Sequence, residues 1–169
     1  MDGRKQVIVC GIDGSAAGQR ALEWALDEAI RRGCALRVVT AWWWDGVESF
    51  GATGTPHAAR LQAQEIQEIA LGRALEGVPA APAIERLLPR GGPSDALTKA
   101  ALDADLLVLG SHGHGTAHDK FVGSTSQRAI HHASCPVVLL PDPRRATRDL
   151  KHARARHRTA DAPSPTPMF

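Results

Sequence analysis

Residues 110–126, GSHGHGTAHDKFVGSTS, gather four glycines, three histidines, one lysine and five hydroxyl side chains with almost nothing apolar. They follow DLLVLG (105–110), the most apolar run of the second half, and lead into a helical pattern at 124–133. A loop that leaves a buried strand and enters a helix brings backbone N–H groups and the positive end of a helix dipole to one point. Such a point attracts anions, and glycine lets the backbone approach phosphate oxygens closely. Gly110, Gly113 and Gly115 lie early in the stretch and Gly123 just before the helix, with Ser124, Thr125 and Ser126 in its first turn. Lys120, and the histidines when protonated, would add positive charge. The arrangement suits the phosphate chain of a nucleotide.

Other chemistries fit the spacing less well. A Walker A loop needs GxxxxGK[ST], and neither Gly115 nor Gly123 is followed by lysine. The glycines after the first strand, Gly11, Gly14 and Gly18, do not make the GxGxxG dinucleotide fingerprint. A nucleophile elbow needs GxSxG, whereas Ser111 follows Gly110 directly. HGHG has the wrong order for an HxGH adenylyl-transfer motif. His112, His114 and His118 have no acidic or thiol partner at known metal-ligand spacing. A plain connecting loop of this length would be uncommon. Asp13, in the DGS that ends the first strand, suits a turn.

The elements that must position these residues alternate regularly. Apolar runs at 6–12, 35–42, 83–89, 105–110 and 136–141 read as strands, and 15–33, 57–77, 91–103 and 124–133 as helices. Ser15 is the expected N-cap and Gly33 the expected stop of the first helix. Leu22, Ala25, Leu26, Ala29 and Ile30 supply its apolar spacing. The second helix mixes Leu61, Gln62, Glu65, Ile66, Ile69, Ala70 and Arg73, and Leu97, Ala101 and Leu102 are expected to face inward in the third. Strands that are continuously apolar and alternate with helices predict an open five-stranded parallel sheet covered by helices on both faces. Ligands in such sheets bind beyond the carboxyl ends of the strands, at the switch in strand order. The stretch 110–126, the DGS after the first strand and the AWWW after the second all lie at such ends.

The totals agree with a soluble, cytoplasmic protein. The 169 residues are 43% hydrophobic and 22% charged, with a mean hydropathy of −0.20. No run approaches the roughly 18 apolar residues of a membrane span, and the first residues do not resemble a signal peptide. Cys10, Cys34 and Cys135 are widely spaced, without a CxxC pair, and read as buried reduced thiols. Charge is uneven. Residues 1–141 carry 13 Lys+Arg against 15 Asp+Glu, while residues 142–169 carry 7 against 3. The expected organisation is a nucleotide-binding domain over 1–141 and a basic, proline-rich, disordered appendage over 142–169. The body is not a basic nucleic-acid binder, and only the appendage could make weak contacts of that kind.

Gly110-x2-Gly113-x9-Gly123-Ser124 resembles the glycine pattern of the ATP-binding branch of the universal stress protein family. VIVCGIDGS, ALEWALDEAIRRGCALRVVTAW, ADLLVLGSHGHG and VGSTSQRAIHHASCPVVLLP resemble that family's hallmark segments in the same order, over about residues 4–141. The resemblance implies strand order 3-2-1-4-5, bound ATP with Mg²⁺, and a role in stress adaptation. It implies that Gly11 and Asp13 lie by the nucleotide, Asp13 near the metal, and that Ala41 offers backbone groups to adenine. It places Gly110 and Ser111 by the ribose, with Gly113, Gly123, Ser124 and Thr125 on the phosphates and Ser126 close by. It also implies a homodimer through residues 136–141. The family often has arginine where His112 and His114 stand, so imidazole protonation would modulate phosphate attraction here. Two other readings stand beside regulatory nucleotide binding: a slow ATPase or phosphotransferase using the same pocket, and an interaction module that binds no nucleotide. Among Trp42, Trp43 and Trp44, one is expected in the core and another could stack on adenine.

Overall fold

The computed structural model describes residues 6–44, 55–111 and 122–141. Its elements follow in the order β1 (Val7–Gly11), α1 (Ala16–Arg32), β2 (Ala35–Val39), α2 (Pro56–Leu75), β3 (Ile84–Leu87), α3 (Pro93–Ala100), β4 (Leu106–Gly110), α4 (Ser124–His132) and β5 (Val137–Leu140). Local chemistry sets the ends of α1. The Ser15 hydroxyl accepts from the Gly18 N–H at 3.1 Å, satisfying one of the donors that a helix start leaves open. At the other end Gly33 adopts φ 63°. Gly33 N–H then bonds Ile30 O and Cys34 N–H bonds Ala29 O, the paired closure that a left-handed residue permits. Thr55 caps α2 in the same way, through the Ala58 N–H.

The five strands form one parallel sheet ordered β3-β2-β1-β4-β5. Alternate residues of β1 enter different cores. Ile8 and Cys10 pack with Ala21, Leu22, Ala25, Leu26 and Ala29 of α1 and with Ala70, Leu71 and Ala74 of α2. Val9 packs on the other face with Leu97 of α3 and Ala129 of α4. Helices therefore cover both faces, and β1 and β4 are enclosed between them. The order reverses between β1 and β4, so the crevice that such a fold offers opens at the carboxyl ends of these two strands.

Two polar devices tie the sheet to its helices. Gln67, buried in α2, donates from Nε2 to Val38 O, Thr40 Oγ1 and Leu87 O at 3.2–3.3 Å. It thereby joins the carboxyl ends of β2 and β3. Arg37 on β2 donates to Glu85 at 2.6 Å, to Asp103 at 2.7 Å and to Ala100 O at 2.7 Å, holding the end of α3 against the sheet. The hydrogen bonds to Asp103 and Glu85 raise the Arg37 guanidinium above its ordinary pKa.

Several sequence expectations shift. β2 ends at Val39 rather than 42, because its pairing with β1 stops at Gly11–Val39. Beyond it only an isolated bridge joins Trp42 to Arg90. In α2, whose sequence mixes apolar and polar residues, Leu61 and Ile69 are 47% and 48% exposed. The helix buries Ala63, Gln67, Ala70, Leu71 and Ala74, because the small residues let it lie close to the sheet. Ile30 sits outside the buried face of α1. Leu102 does not face inward but is 71% exposed, since α3 ends at Ala100 and the chain turns there. Cys10 and Cys34 are buried, Cys135 is half-buried, and all three are free thiols. Among the described residues no helix is long and apolar enough to cross a membrane. The expected appendage, 142–169, lies outside the described residues.

Candidate functional site

Gly110 ends β4 at the switch point and touches elements on both sides of the sheet. A Cβ placed on it would lie 2.8 Å from the Ala17 carbonyl carbon and 2.9 Å from Ala17 Cβ and Gly18 N. The first turn of α1 thus lies directly against the strand end. From the other face, the Ser126 hydroxyl in the first turn of α4 donates to Gly110 O at 2.8 Å. The N-termini of α1 and α4 therefore converge on one residue.

The chain leaving β4 is fastened in the same place. Ser111 N–H donates to Leu140 O, the last residue of β5, at 2.7 Å. Ser111 O in turn accepts from Gly123 N–H at 2.7 Å. Gly123 is the N-cap of α4, and among the described residues no side chain caps that helix. The first turn of α4 thus differs from those of α1 and α2, whose openings are closed by Ser15 and Thr55. Ser124 is exposed there, Thr125 half-buried and Ser126 buried. The Ser126 hydroxyl is committed to Gly110 O, and Ser124 is the exposed hydroxyl of that turn.

Asp13 follows β1 beside the same convergence. Its Oδ1 accepts from Ser15 N–H at 3.0 Å. Gly14, at φ 85°, makes the turn between them. A Cβ on Gly18 would lie 2.9 Å from the same Oδ1, so the carboxylate is drawn over the first turn of α1. One carboxylate beside an anion site is a donor set that suits Mg²⁺, which commonly takes one or two carboxylates together with phosphate oxygens. Among the described residues no group of three or more His, Cys, Asp or Glu could form an all-protein metal site.

The remaining sequence candidates fall as follows. Gly11 is buried, and a Cβ on it would meet Leu97 Cδ2 at 2.6 Å and Leu109 Cδ2 at 2.7 Å. Both contacts are ends of flexible leucine side chains, which would have to shift to admit a larger residue. Ala41 is half-buried just beyond β2, next to buried Thr40. Gly113 lies outside the described residues, as do His112, His114, His118 and Lys120. None of the three tryptophans enters the core. Trp42 donates from Nε1 to Leu88 O at 2.9 Å and lies under the Arg90 guanidinium at 5.8 Å. Trp43 is 60% exposed. Trp44 buries its Nε1 without a hydrogen-bond partner among the described residues. The thiols are not poised as nucleophiles, because burial pushes Cys10, Cys34 and Cys135 above their ordinary pKa.

Sequence reasoning missed Gln67 and the Arg20 bond to Pro141 O, 3.0 Å long. Gln67 was signalled by its place in the stripe Ala63–Gln67–Ala70–Leu71–Ala74, where a lone polar residue stands among small apolar ones. Nothing local in the sequence signals the Arg20 contact, which spans 121 positions.

Fold and site together define an open α/β protein with an anion-receptive crevice at its β1–β4 switch. Comparison with known proteins makes this specific. The family model described as "Universal stress protein family" matches residues 5–141, and this chain belongs to that family. It is 34% identical over 139 residues to a universal stress protein of Thermus aquaticus, covering 80% of this chain and 98% of that one. It is 34% identical over 136 residues to a universal stress protein of Mycobacterium tuberculosis, covering 78% of this chain and 44% of that one. The chain thus spans less than half the length of the mycobacterial relative. Among solved structures, a universal stress protein in complex with cAMP superposes with a TM-score of 0.62 at 28% identity, over 80% of this chain and 97% of that one. One from Archaeoglobus fulgidus in complex with dAMP gives 0.57 at 24% identity, over 81% and 98%; at that identity the likeness is one of fold.

The approach at Gly110 generates a prediction independent of any ligand. Gly110→Ala forces α1 away from β4, because the new methyl group meets backbone as well as a side chain. Destabilisation of about 1–3 kcal/mol is expected from such overpacking, measured by urea unfolding. An unchanged unfolding midpoint would show that the seam is looser than described.

Proposed function

We propose that this chain is a cytoplasmic regulatory protein that binds an adenine nucleotide, ATP with Mg²⁺, and acts in stress adaptation. One observation carries the reading: the N-termini of α1 and α4 converge on Gly110, and among the described residues the α4 opening has no side-chain cap. Uncapped N–H groups and the helix dipole favour a phosphate at that point. In this reading Ser124 and Thr125 hold phosphate oxygens, with Gly123 and Gly113 allowing their approach. Asp13 receives the metal, Gly110 and Ser111 adjoin the ribose, and Ala41 presents its backbone to the base. The 28%-identical universal stress protein described in complex with cAMP supports an adenine nucleotide as the ligand class.

Calorimetry with Mg²⁺–ATP on the wild type and on Gly123→Glu tests this. Gly123 has φ −66°, which any residue adopts, and a carboxylate at a helix N-terminus does not oppose folding. The variant therefore keeps the fold and places negative charge where the phosphates would sit. The expected result is wild-type binding that disappears in a variant of unchanged melting temperature. Absence of wild-type binding at millimolar ATP would reject the proposal.

The same reading includes a homodimer through residues 136–141. Among the described residues β5 is paired on one side only, to β4, and its four apolar residues are all half-buried. An apolar edge of this kind invites pairing with another chain. Sedimentation should give twice the 18.0 kDa chain mass, with amide protection over 137–140 that fades on dilution. A chain that sediments as a monomer at high concentration would contradict the dimer.

A further inference from the structure

Ala41 stands just beyond β2, where the chains on either side of it diverge. Its two neighbours are fastened on the β3 side: Thr40 N–H donates to Leu87 O and Trp42 N–H to Pro89 O, each at 3.0 Å. Val39 faces the other way, its carbonyl accepting from Ile12 N–H of the β1 chain at 3.0 Å. In such a ladder, alternate residues direct their backbone groups to the same side. Ala41 therefore turns its N–H and C=O toward the β1 side. There the strand has already ended, because β1 stops at Gly11 and Gly14, at φ 85°, makes the turn into α1. One backbone donor and one backbone acceptor thus open on the crevice. Together they match a base edge that sets an acceptor nitrogen beside a 6-amino group, as adenine does; guanine has a carbonyl oxygen in that place.

Two side chains fix this piece of backbone from the side away from the crevice. Buried Gln67 donates from Nε2 to Val38 O, Thr40 Oγ1 and Leu87 O at 3.2–3.3 Å. Trp42 donates from Nε1 to Leu88 O at 2.9 Å and carries the Arg90 guanidinium over its ring. Gly91, at φ 134°, closes the clamp by donating its N–H to Trp42 O at 2.9 Å. The residues before and after Ala41 are both tied to the chain leaving β3.

We propose that Trp42 and Gln67 are positioning residues for base selection: by locking Thr40 and Trp42 to the chain leaving β3, they fix the Ala41 N–H and C=O that distinguish adenine from guanine. Both act through the backbone. A donor and an acceptor already held in place need no ordering when the base arrives, so their hydrogen bonds count more fully toward affinity. A base with the wrong edge leaves one of them unpaired, which is where the discrimination arises. The inference rests on the nucleotide-binding reading above and concerns the base rather than the phosphates.

The test uses the full chain, Trp42→Phe and Gln67→Met, each melted to confirm the fold. Trp42→Phe keeps an aromatic ring beneath Arg90 and removes the Nε1 donor. Gln67→Met keeps the side chain's length and removes its donor to Val38 O, Thr40 Oγ1 and Leu87 O. All three proteins are titrated with ATP, GTP and inorganic tripolyphosphate in the presence of Mg²⁺. The wild type is expected to bind ATP more tightly than GTP. Each variant should lose about tenfold in ATP affinity, the scale of one hydrogen bond, with GTP and tripolyphosphate affinities unchanged. Unchanged ATP affinity in folded Trp42→Phe would overturn the clamp, whether or not Gln67→Met folds. ATP and tripolyphosphate affinities that fall together would also overturn it, since the loss would then be a general one of structure. A wild type that binds tripolyphosphate but does not prefer ATP to GTP would overturn base selection and leave the phosphate site standing. No binding of ATP, GTP or tripolyphosphate by the wild type would remove both the clamp and the reading beneath it.

Discussion

A missing side chain at one position governs the geometry of this molecule. Gly110 lets the first turn of α1 lie against the end of β4, closer than any Cβ would allow. Its carbonyl then receives the Ser126 hydroxyl from α4 on the opposite face. A sheet of order β3-β2-β1-β4-β5 places its switch between β1 and β4, and it is there that both helices begin. The site follows from packing: two helix starts are brought together because the strand end between them has no bulk.

Electrostatics then distinguishes the two helix starts. α1 is closed by Ser15, and the Asp13 carboxylate lies across it. Among the described residues α4 has no side-chain cap, and the Ser126 hydroxyl of its first turn is turned inward to Gly110. One start thus presents negative charge suited to a cation, the other open donors suited to an anion. A metal–phosphate ligand carries the complementary pair of charges. The tie through Leu140, Ser111 and Gly123 fixes β5 to the same locus. An event at the β5 edge and an event at the α4 opening thereby share backbone hydrogen bonds.

Much of this was legible in the sequence, for identifiable reasons. The parallel sheet could be read because β1 and β4 are continuously apolar, as strands covered on both faces must be. The ends of α1 could be read because Ser15 and Gly33 act locally. Gly123 and Ser124 marked a helix start for the same reason. What escaped notice depends on tertiary contact. The close approach of Leu97 and Leu109 to Gly11 is a packing contact that no local pattern reveals. Leu102 looked internal from its type, but the chain turns at Ala101 and exposes it. The tryptophan run suggested a core anchor, yet Trp42 instead ties the chain after β2 to the chain after β3 through Leu88 and Arg90.

The central claim is that the α4 opening, adjoining Gly110 and Asp13, is where nucleotide phosphates bind. The most direct measurement is a map of backbone amide shifts in the isotope-labelled chain as Mg²⁺–ATP is added. The account predicts the largest changes at Ser124 and Thr125, with accompanying changes at Asp13 and Ala41, and little at the distant β3 edge around Glu85. Saturable binding whose largest shifts lie away from residues 123–126 would contradict it.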